Sequence, residues 1–170
     1  MALIKSVRGY TPSFGVDCYL AENATVIGAV AMGNQCSVWF TAVVRGDVNS
    51  ITIGDRVNIQ DGACIHCTYQ RSATTIGNDV SIGHRAIVHG CTIYDSVLVG
   101  MGAIVMDDAV VESNVIIGAG AVVPVGMRCE ANSVYAGIPA KKIKNLAPDQ
   151  RADTIERIAA AYLEYASWFQ

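Results

Sequence analysis

The three histidines of this 170-residue chain are the side chains best suited to chemistry. The sequence contains no further histidine, and all three lie within one short stretch. They are His66, His84 and His89. Histidine is the commonest metal ligand in proteins, and its neutral ring binds metal through one nitrogen. The clustering favours a metal site over the plainer alternative, a solvated ridge of polar side chains, provided that the fold brings the three rings together.

A six-residue repeat of aliphatic residues surrounds the histidines. Its members fall into groups of three, and consecutive members of a group are six positions apart. The groups are Met32, Val38 and Val44; Ile53, Ile59 and Ile65; Ile76, Ile82 and Val88; Ile93, Val99 and Val105; and Val111, Ile117 and Val123. This period fits neither an amphipathic helix nor a plain long strand. It is typical of a parallel β-helix, in which each hexapeptide forms one short strand and one corner.

The ends of the chain depart from this repeat. Residues 1–20 are interpreted as a lead-in with turns, and the repeat fades after Val123. A helical pattern of apolar residues then begins after Pro148 and predicts a helix with Asp149 as its N-cap. The predicted boundaries are a β-helix domain over 1–146 and a helical segment over 147–170, whose aromatic residues pack on the β-helix or on a neighbouring subunit.

Composition excludes several functional classes. A net charge of -3 and a pI of about 5.5 give no reason to expect a nucleic-acid partner. No apolar run reaches the length of about 18 residues that predicts a membrane span, and no secretory leader is recognised. Six cysteines without such a leader predict reduced, mostly buried thiols, so we expect a cytoplasmic protein.

The repeat assigns the histidines to different edges of the β-helix. With three hexapeptides per coil, His66 and His89 each follow a third-position residue, Ile65 and Val88, in successive coils. Equivalent positions of adjacent coils are about 4.8 Å apart, so these two rings are close enough to share a metal ion. His84 belongs to another edge and reaches that metal only from a neighbouring copy. A closed ring of three copies provides this, so the spacing predicts a homotrimer with metal sites between subunits.

Four further polar residues fall near these edges. Arg45 and Asp47 lie on the edge of His66, and Gln60 and Asp61 lie on the edge of His84, in each case one coil below the histidine. Arg45 and Asp61 are expected to pair across the subunit interface, because arginine binds carboxylates in a specific geometry. For these two residues a structural role is favoured over a catalytic one.

Several motifs together resemble the γ-class carbonic anhydrase family of left-handed β-helix proteins, and the resemblance extends over nearly the whole chain. The motifs are Arg45-Gly46-Asp47, Asn58-Ile59-Gln60-Asp61-Gly62, Ile65-His66 and Gly83-His84-Arg85-Ala86-Ile87-Val88-His89-Gly90. The resemblance implies a left-handed parallel β-helix with a C-terminal α-helix. It also implies that His66 and His89 of one subunit and His84 of the next bind zinc, with Fe2+ or Co2+ as alternatives.

The reaction implied by this resemblance is the reversible hydration of CO2 to bicarbonate by a metal-bound hydroxide at the subunit interface. By the same resemblance, Gln60 hydrogen-bonds the bound solvent or substrate. Arg45, Asp47 and Asp61 would hold the interface and the groups around the metal.

Active relatives in this family carry glutamates near the metal that help proton transfer, one of them just after the Arg-x-Asp motif. This chain has Val48 there and no glutamate between Glu22 and Glu112. We therefore expect a carbonic anhydrase of low activity, with Tyr69 as a weak candidate to replace the missing group.

Three other functions fit the same scaffold. Many hexapeptide-repeat proteins are acyltransferases, although these usually rely on one catalytic histidine as a general base. A metal-dependent ester or thioester hydrolase would use the same activated water. A structural assembly subunit is the third alternative, and the retention of all three histidines counts against it.

Overall fold

The aliphatic residues of the repeat form three stacked columns in the computed structural model, which describes residues 1–169. In one column, Ile59 pairs with Val38 in the coil below and with Ile82 in the coil above. All members of the columns are at most 6% exposed. Burial of apolar surface is the dominant favourable term in folding, so these columns stabilise the coiled chain.

The predicted fold class, a left-handed parallel β-helix with a C-terminal α-helix, is confirmed. Gln170, the last residue of the predicted helical segment, lies outside the described residues. The strands are β1 (Leu3–Lys5), β2 (Ser13–Phe14), β3 (Tyr19–Leu20), β4 (Thr25–Met32), β5 (Ser37–Val38), β6 (Val43–Ile53), β7 (Asn58–Ile59), β8 (Cys64–His66), β9 (Thr74–Ile76), β10 (Ser81–Ile82), β11 (Ile87–His89), β12 (Thr92–Ile93), β13 (Leu98–Val99), β14 (Ile104–Val105), β15 (Val110–Val111), β16 (Val115–Ile117), β17 (Val122–Val123), β18 (Arg128–Cys129), β19 (Ser133–Ala136) and β20 (Lys141–Asn145).

These strands lie on three faces. The first face contains β3, β5, β7, β10, β13, β16 and β19, all parallel, with β20 antiparallel at its edge. The other two faces are one continuous sheet, because the long strands β4 and β6 bend around the corner between them. Strands β8, β11, β14 and β17 continue the second face, and β9, β12, β15 and β18 continue the third. The loop over 67–73 joins β8 to β9 and therefore projects at this corner.

Glycine follows an aliphatic column residue where successive coils approach closely. At Gly54 a Cβ atom would lie 2.8 Å from the backbone of Gly77 in the next coil. Real Cβ atoms are not found so close to another backbone, so this position accepts no side chain without a shift of the coil. Glycine at this position is therefore a packing requirement.

Both ends of the β-helix extend beyond the aliphatic repeat. Residues 1–20, interpreted from sequence as a lead-in, contain three strands, and β1 and β2 both pair with β4. Leu3 and Ile4 at this open end are 54% and 47% exposed, so no inward aliphatic repeat is needed there. Beyond Val123, Cys129 and Tyr135 occupy the inward positions. Because they are not aliphatic, the repeat is no longer visible in the sequence, although the coils continue.

The C-terminal helix begins at a proline. It consists of α1 (Pro148–Arg151), a π-helical segment (Ala152–Glu156) and α2 (Arg157–Ser167). The N-cap is Ala147, which makes no side-chain capping hydrogen bond. The prediction that Asp149 is the N-cap is wrong. Proline suits the first helical position because its fixed φ fits the helix and its missing N–H needs no partner there, so Pro148 moves the start upstream and Asp149 lies in the first turn.

The helix packs against the first face through buried Ile155 and through aromatic contacts. The ring centroid of Tyr162 lies 5.3 Å from that of Trp39, and Phe169 lies 5.6 Å from the same indole. Trp168, by contrast, is 65% exposed, so not every aromatic residue of the helix belongs to the core.

No helix within residues 1–169 has the length and apolar character needed to cross a membrane. The six cysteines are free thiols, four of them buried.

Replacing one column residue should destabilise the protein far more than the same change at the surface. Ile82→Ala removes a fully buried side chain and should lower the free energy of unfolding by about 2–5 kcal/mol. Ile143, which is 62% exposed on β20, gives the matched control, and Ile143→Ala should change it by less than about 0.5 kcal/mol. Denaturant unfolding at one fixed protein concentration measures both. Equal losses for the two variants would contradict the column as the source of stability.

Candidate metal centre

His66 and His89 face each other at the corner between the second and third faces. Their strands β8 and β11 are in register, so His66 pairs directly with His89 one coil above. His66 Nδ1 lies 3.1 Å from His89 Nε2. The two side chains are 16% and 32% exposed. The stacking expected from the six-residue repeat is therefore present in the structure.

The outer nitrogen of each of these rings contacts an aspartate. His66 Nε2 lies 3.1 Å from Asp47 Oδ1, and His89 Nδ1 lies 3.0 Å from Asp107 Oδ1. A carboxylate accepts hydrogen bonds, so each neutral ring donates its single N–H outward to its aspartate. The two inner nitrogens then carry lone pairs that point at each other. A cation between them satisfies both lone pairs.

The distance between the two inner nitrogens suits a shared metal ion. Two nitrogen ligands of a tetrahedral zinc ion, each about 2.0–2.1 Å from it, are roughly 3.3 Å apart. The observed 3.1 Å between His66 Nδ1 and His89 Nε2 is close to that value. Zinc, Fe2+ and Co2+ all accept imidazole nitrogen, so the donor set fits the implied metals without selecting one of them.

The local electrostatics favour neutral histidine beside ionised aspartate. Burial lowers the pKa of His66, and the nearby Arg45 guanidinium lowers it further against the opposing effect of Asp47. Burial by itself raises the pKa of Asp47, but hydrogen bonds from Arg45 and His66 bring it below its ordinary value. Asp107 behaves similarly: burial raises its pKa, while hydrogen bonds from neighbouring groups lower it overall. Neutral imidazole is the form that binds metal.

Asp107 is fixed by two hydroxyl groups of the 67–73 loop. Thr68 Oγ1 and Ser72 Oγ each donate to Asp107 Oδ1 over 2.9 Å, the same oxygen that accepts from His89. The loop is thereby tied to the coil that carries Asp107. Sequence reasoning missed these three residues. The signal for Asp107 was available, because it stands eighteen residues, or one coil, after His89.

His84 lies on another edge, after β10 of the first face, as the repeat indicated. Its Nδ1 lies 2.9 Å from Asp61 Oδ2, and its backbone N–H donates to Gln60 Oε1 over 3.2 Å. The remaining ring nitrogen, Nε2, lies 3.4 Å from the hydroxyl of Tyr162. Each of the three histidines therefore has one nitrogen engaged by its own aspartate. Burial raises the pKa of Tyr162 to about 12, which keeps this hydroxyl protonated.

Gln60 is positioned by a short chain of hydrogen bonds along the first face. The amide of Gln60 donates to Asn58 Oδ1 over 2.9 Å, and Asn58 donates to Ser81 Oγ over 2.7 Å. Gln60 is only 5% exposed. Since its oxygen already accepts from His84, one amide proton is left to bind a ligand.

Arg45 is paired within its own subunit. Its Nη1 lies 2.6 Å from Asp47 Oδ2, while Asp61 contacts His84 of the same chain. Within one chain, Arg45 and Asp61 thus each have a partner, and their expected pairing across subunits stays a prediction. Asp47 joins Arg45 to His66 because it binds both. Tyr69, the weak candidate for proton transfer, is 53% exposed, and its hydroxyl accepts a hydrogen bond from the Gln70 amide over 3.1 Å.

The three predicted ligands do not converge within one chain. Among residues 1–169, no group of three or more histidine, cysteine or acidic side chains is placed to hold a metal ion. The structure brings together His66, His89 and Asp47 on one corner, and His84, Asp61 and Gln60 on another.

An apolar cavity of about 440 Å3 adjoins His84 between the first face and the C-terminal helix. Tyr162 forms part of its wall. The sequence assigned the aromatic residues of the helix to the core alone, whereas Tyr162 also contacts His84. Its helical spacing gave no indication of this second contact. The remaining lining residues include Leu98, Met101, Ile116 and Ile158.

Known proteins similar to this chain include several carbonic anhydrases, although no family model matches it. A carbonic anhydrase from Geobacillus kaustophilus is 34% identical over 168 residues, which cover 99% of this chain and 91% of that protein. Gamma carbonic anhydrase 2, mitochondrial, of Arabidopsis thaliana is 37% identical over 96% of this chain. The chain spans only 60% of the length of that relative and 56% of gamma carbonic anhydrase 1 of the same plant.

Solved structures with the same fold carry transferase names. A hexapeptide transferase family protein from Anaplasma phagocytophilum is 33% identical with a TM-score of 0.94, covering 99% of this chain and 98% of that one. A variant of AntD, an N-acyltransferase from Bacillus cereus, is 16% identical with a TM-score of 0.73 and 90% coverage of both chains. At that identity the likeness to AntD shows the fold alone.

Removing Asp107 should change the proton position on His89. In metal-depleted protein with the His89 ring neutral, we expect the proton on Nδ1, because Asp107 accepts it. Asp107→Ala should move it largely to Nε2, and 15N correlation spectra of the ring report the change. Asp108→Ala is the matched control, since Asp108 contacts exposed Arg71 over 3.3 Å. An unchanged His89 tautomer in Asp107→Ala would contradict the assignment.

Proposed function

Because this chain belongs to the γ-class carbonic anhydrase family, we propose that it is a metal-dependent carbonic anhydrase that interconverts CO2 and bicarbonate. The metal is proposed to lie between subunits of a homotrimer, bound by His66 and His89 of one subunit and His84 of the next. Zinc is the proposed metal, with Fe2+ or Co2+ as alternatives. The six free thiols suit a reducing compartment such as the cytoplasm.

The observation that carries this proposal is the pairing of each histidine with its own aspartate. Metal-binding histidines usually donate their second ring N–H to a carboxylate, which fixes the tautomer and leaves the other nitrogen for the metal. Asp47, Asp107 and Asp61 are in position to do this for the three histidines, and at His84 the metal would replace the Tyr162 hydroxyl at Nε2. Histidines that only formed a solvated surface ridge would not each require an aspartate at one ring nitrogen.

An apolar stripe supports the proposed subunit contact. Cys64, Ile87, Ile104 and Val122 stand in register on successive strands of the second face and alternate with the inward column, so they point outward. Ile87 is 38% exposed in the single chain. The stripe lies immediately beside His66 and His89. A second copy seated on it would bury apolar surface and bring a neighbouring edge towards these two rings.

The proposed roles follow from the contacts of each residue. When bound, the metal ion lowers the pKa of a coordinated water and so supplies a nucleophile at neutral pH. Asp47 and Asp107 hold the rings of their histidines, and Arg45 keeps Asp47 ionised. Gln60 offers an amide proton to bound solvent or substrate.

Proton transfer is the step for which this chain is poorly equipped. Val48 stands where active relatives have a glutamate, and all three histidines are assigned to the metal. The Tyr162 hydroxyl, with a pKa raised by burial to about 12, does not exchange protons readily at neutral pH. We therefore propose that CO2 hydration is slow and limited by proton transfer.

A metal-dependent ester or thioester hydrolase is the second candidate. The apolar cavity of about 440 Å3 beside His84 is larger than CO2 requires and could hold an acyl chain. The transferase names of the structural relatives make acyl transfer a related alternative. Assays of CO2 hydration, acyl-CoA hydrolysis and acyl transfer on one metal-loaded preparation separate the three.

Loss of a histidine from either edge of the β-helix should remove the metal. His84→Ala and His66→Ala should each reduce bound zinc at least tenfold at equal free zinc, although the two residues lie on different edges. Metal content of the purified protein measures this, with Asp108→Ala as a control that keeps full occupancy. Full zinc occupancy in His84→Ala would exclude the shared site.

Mixed oligomers provide a sharper test of the shared site. When subunits carrying His66→Ala and His84→Ala assemble together, one interface type combines intact His66 and His89 with an intact His84. Such mixed oligomers should regain zinc that neither variant binds alone. Two separately tagged subunits allow the mixed species to be purified before metal analysis. A site contained in one subunit predicts no recovery.

Supplying a proton-transfer group should raise the rate. Val48 is half-buried beside Asp47, and Val48→Glu places a carboxyl group where active relatives have one. We expect the kcat for CO2 hydration in dilute buffer to rise about tenfold or more, since general acid–base groups contribute on this scale. Val48→Gln matches the shape without the titratable group and should give no gain. Added imidazole buffer should accelerate the unmodified protein more than Val48→Glu.

A further inference from the structure

A second cavity, of about 290 Å3, is bordered by Asp47, whose carboxylate contacts His66. It is lined by a turn near the N-terminus and by part of β6. Its lining residues are Arg8, Tyr10, Ala29 and the segment 46–50. None of the roles assigned so far uses Arg8 or Tyr10.

The backbone of the N-terminal turn presents Arg8 to this cavity. Val7 and Tyr10 form a pair of backbone hydrogen bonds of 3.0 Å each, so Arg8 and Gly9 are the two residues of a tight turn. Their φ angles are 55° and 82°. Both central residues of this turn type need positive φ, which arginine adopts rarely. An arginine at this position accepts backbone strain that asparagine or glycine would avoid.

The Arg8 guanidinium is held without being neutralised. Its Nη1 donates to the backbone carbonyl of Asp47 over 3.5 Å, and its Cζ atom lies 5.3 Å from the centre of the Tyr69 ring. No carboxylate of residues 1–169 lies within 4.0 Å of it, whereas Asp47 is already paired with Arg45. An aromatic ring orients a guanidinium while leaving its outer N–H groups free.

The cavity therefore offers an exposed guanidinium, contacted by Tyr69, with unused N–H donors. Arginine binds carboxylates through two parallel N–H groups, and this planar geometry gives specificity. The volume is about ten times the roughly 30 Å3 that a water molecule occupies in the liquid. This is more room than bicarbonate needs. Tyr10 and Asn49 on the walls provide further polar contacts.

We propose that this cavity is a binding subsite for the carboxylate of a small organic anion, with Arg8 as its charge partner and Tyr69 as the residue that orients Arg8. The proposal deepens the proposed function, because the subsite adjoins Asp47, which holds the ligand histidine His66. An anion bound there lies beside the metal centre, where it can be a substrate or an inhibitor.

Calorimetric titration of the full-length protein with succinate tests the subsite. Succinate should bind saturably in the millimolar range at low, fixed salt, and the neutral diamide succinamide should not. Arg8→Gln should weaken succinate binding at least tenfold. Arg8→Lys keeps the charge without the planar donor pair and should give an intermediate loss. Arg71→Gln removes a nearby exposed cation outside the cavity and should change the dissociation constant less than twofold.

The same titration on His84→Ala protein separates this proposal from the proposed function. That variant is expected to lose the metal but keeps the cavity, so Arg8-dependent succinate binding should persist. Unchanged binding in Arg8→Gln, equal binding of succinamide, or absence of saturable binding would overturn the subsite. Arg8-dependent binding of bicarbonate without binding of succinate would overturn the assignment to an organic anion.

Discussion

Each histidine of this protein has one ring nitrogen held by an aspartate of the same chain. The two stacked rings are held from adjacent coils, His66 by Asp47 and His89 by Asp107, at 3.1 and 3.0 Å. His84 is held by Asp61 at 2.9 Å. This arrangement decides which nitrogen of each ring is available, and it depends on the register of the coils. A slip of one residue along a strand would turn these side chains to the opposite side of the sheet.

The register in turn depends on the aliphatic columns. Because the columns can be recognised in the sequence, the faces of the β-helix and the placement of the histidines could be predicted from it. A six-residue period of buried residues, such as Ile59 and Ile82, defines the three faces and the length of a coil. Counting coils then places His66 beside His89 and puts His84 on another edge. Coil counting needs no knowledge of side-chain conformation, so it succeeds wherever the repeat is regular.

Most features that sequence did not predict lie where this regularity ends. Asp107 could have been found by coil counting, but the hydroxyls of Thr68 and Ser72 that bind it belong to a loop that interrupts the repeat. The contact between Tyr162 and His84 depends on how the C-terminal helix lies on the first face, which helical periodicity alone does not define. The N-cap was assigned to Asp149 because its side chain can cap, but Pro148 determines where the helix begins. The contact of Arg45 with Asp47 of the same chain was not predicted either, because two carboxylates of equal charge lie within reach of the expected position of this arginine.

Assembly and chemistry are linked in the proposed site, since two of the proposed ligands, His66 and His89, lie on one edge of the chain and the third, His84, lies on another. Anomalous diffraction from crystals of the zinc-loaded protein, collected on both sides of the zinc absorption edge, tests this most directly. We expect one zinc peak per subunit, coordinated by His66 and His89 of one chain and His84 of its neighbour. A zinc ion bound to His66 and His89 with its remaining protein ligands from the same chain, or no zinc at these histidines, would contradict the account.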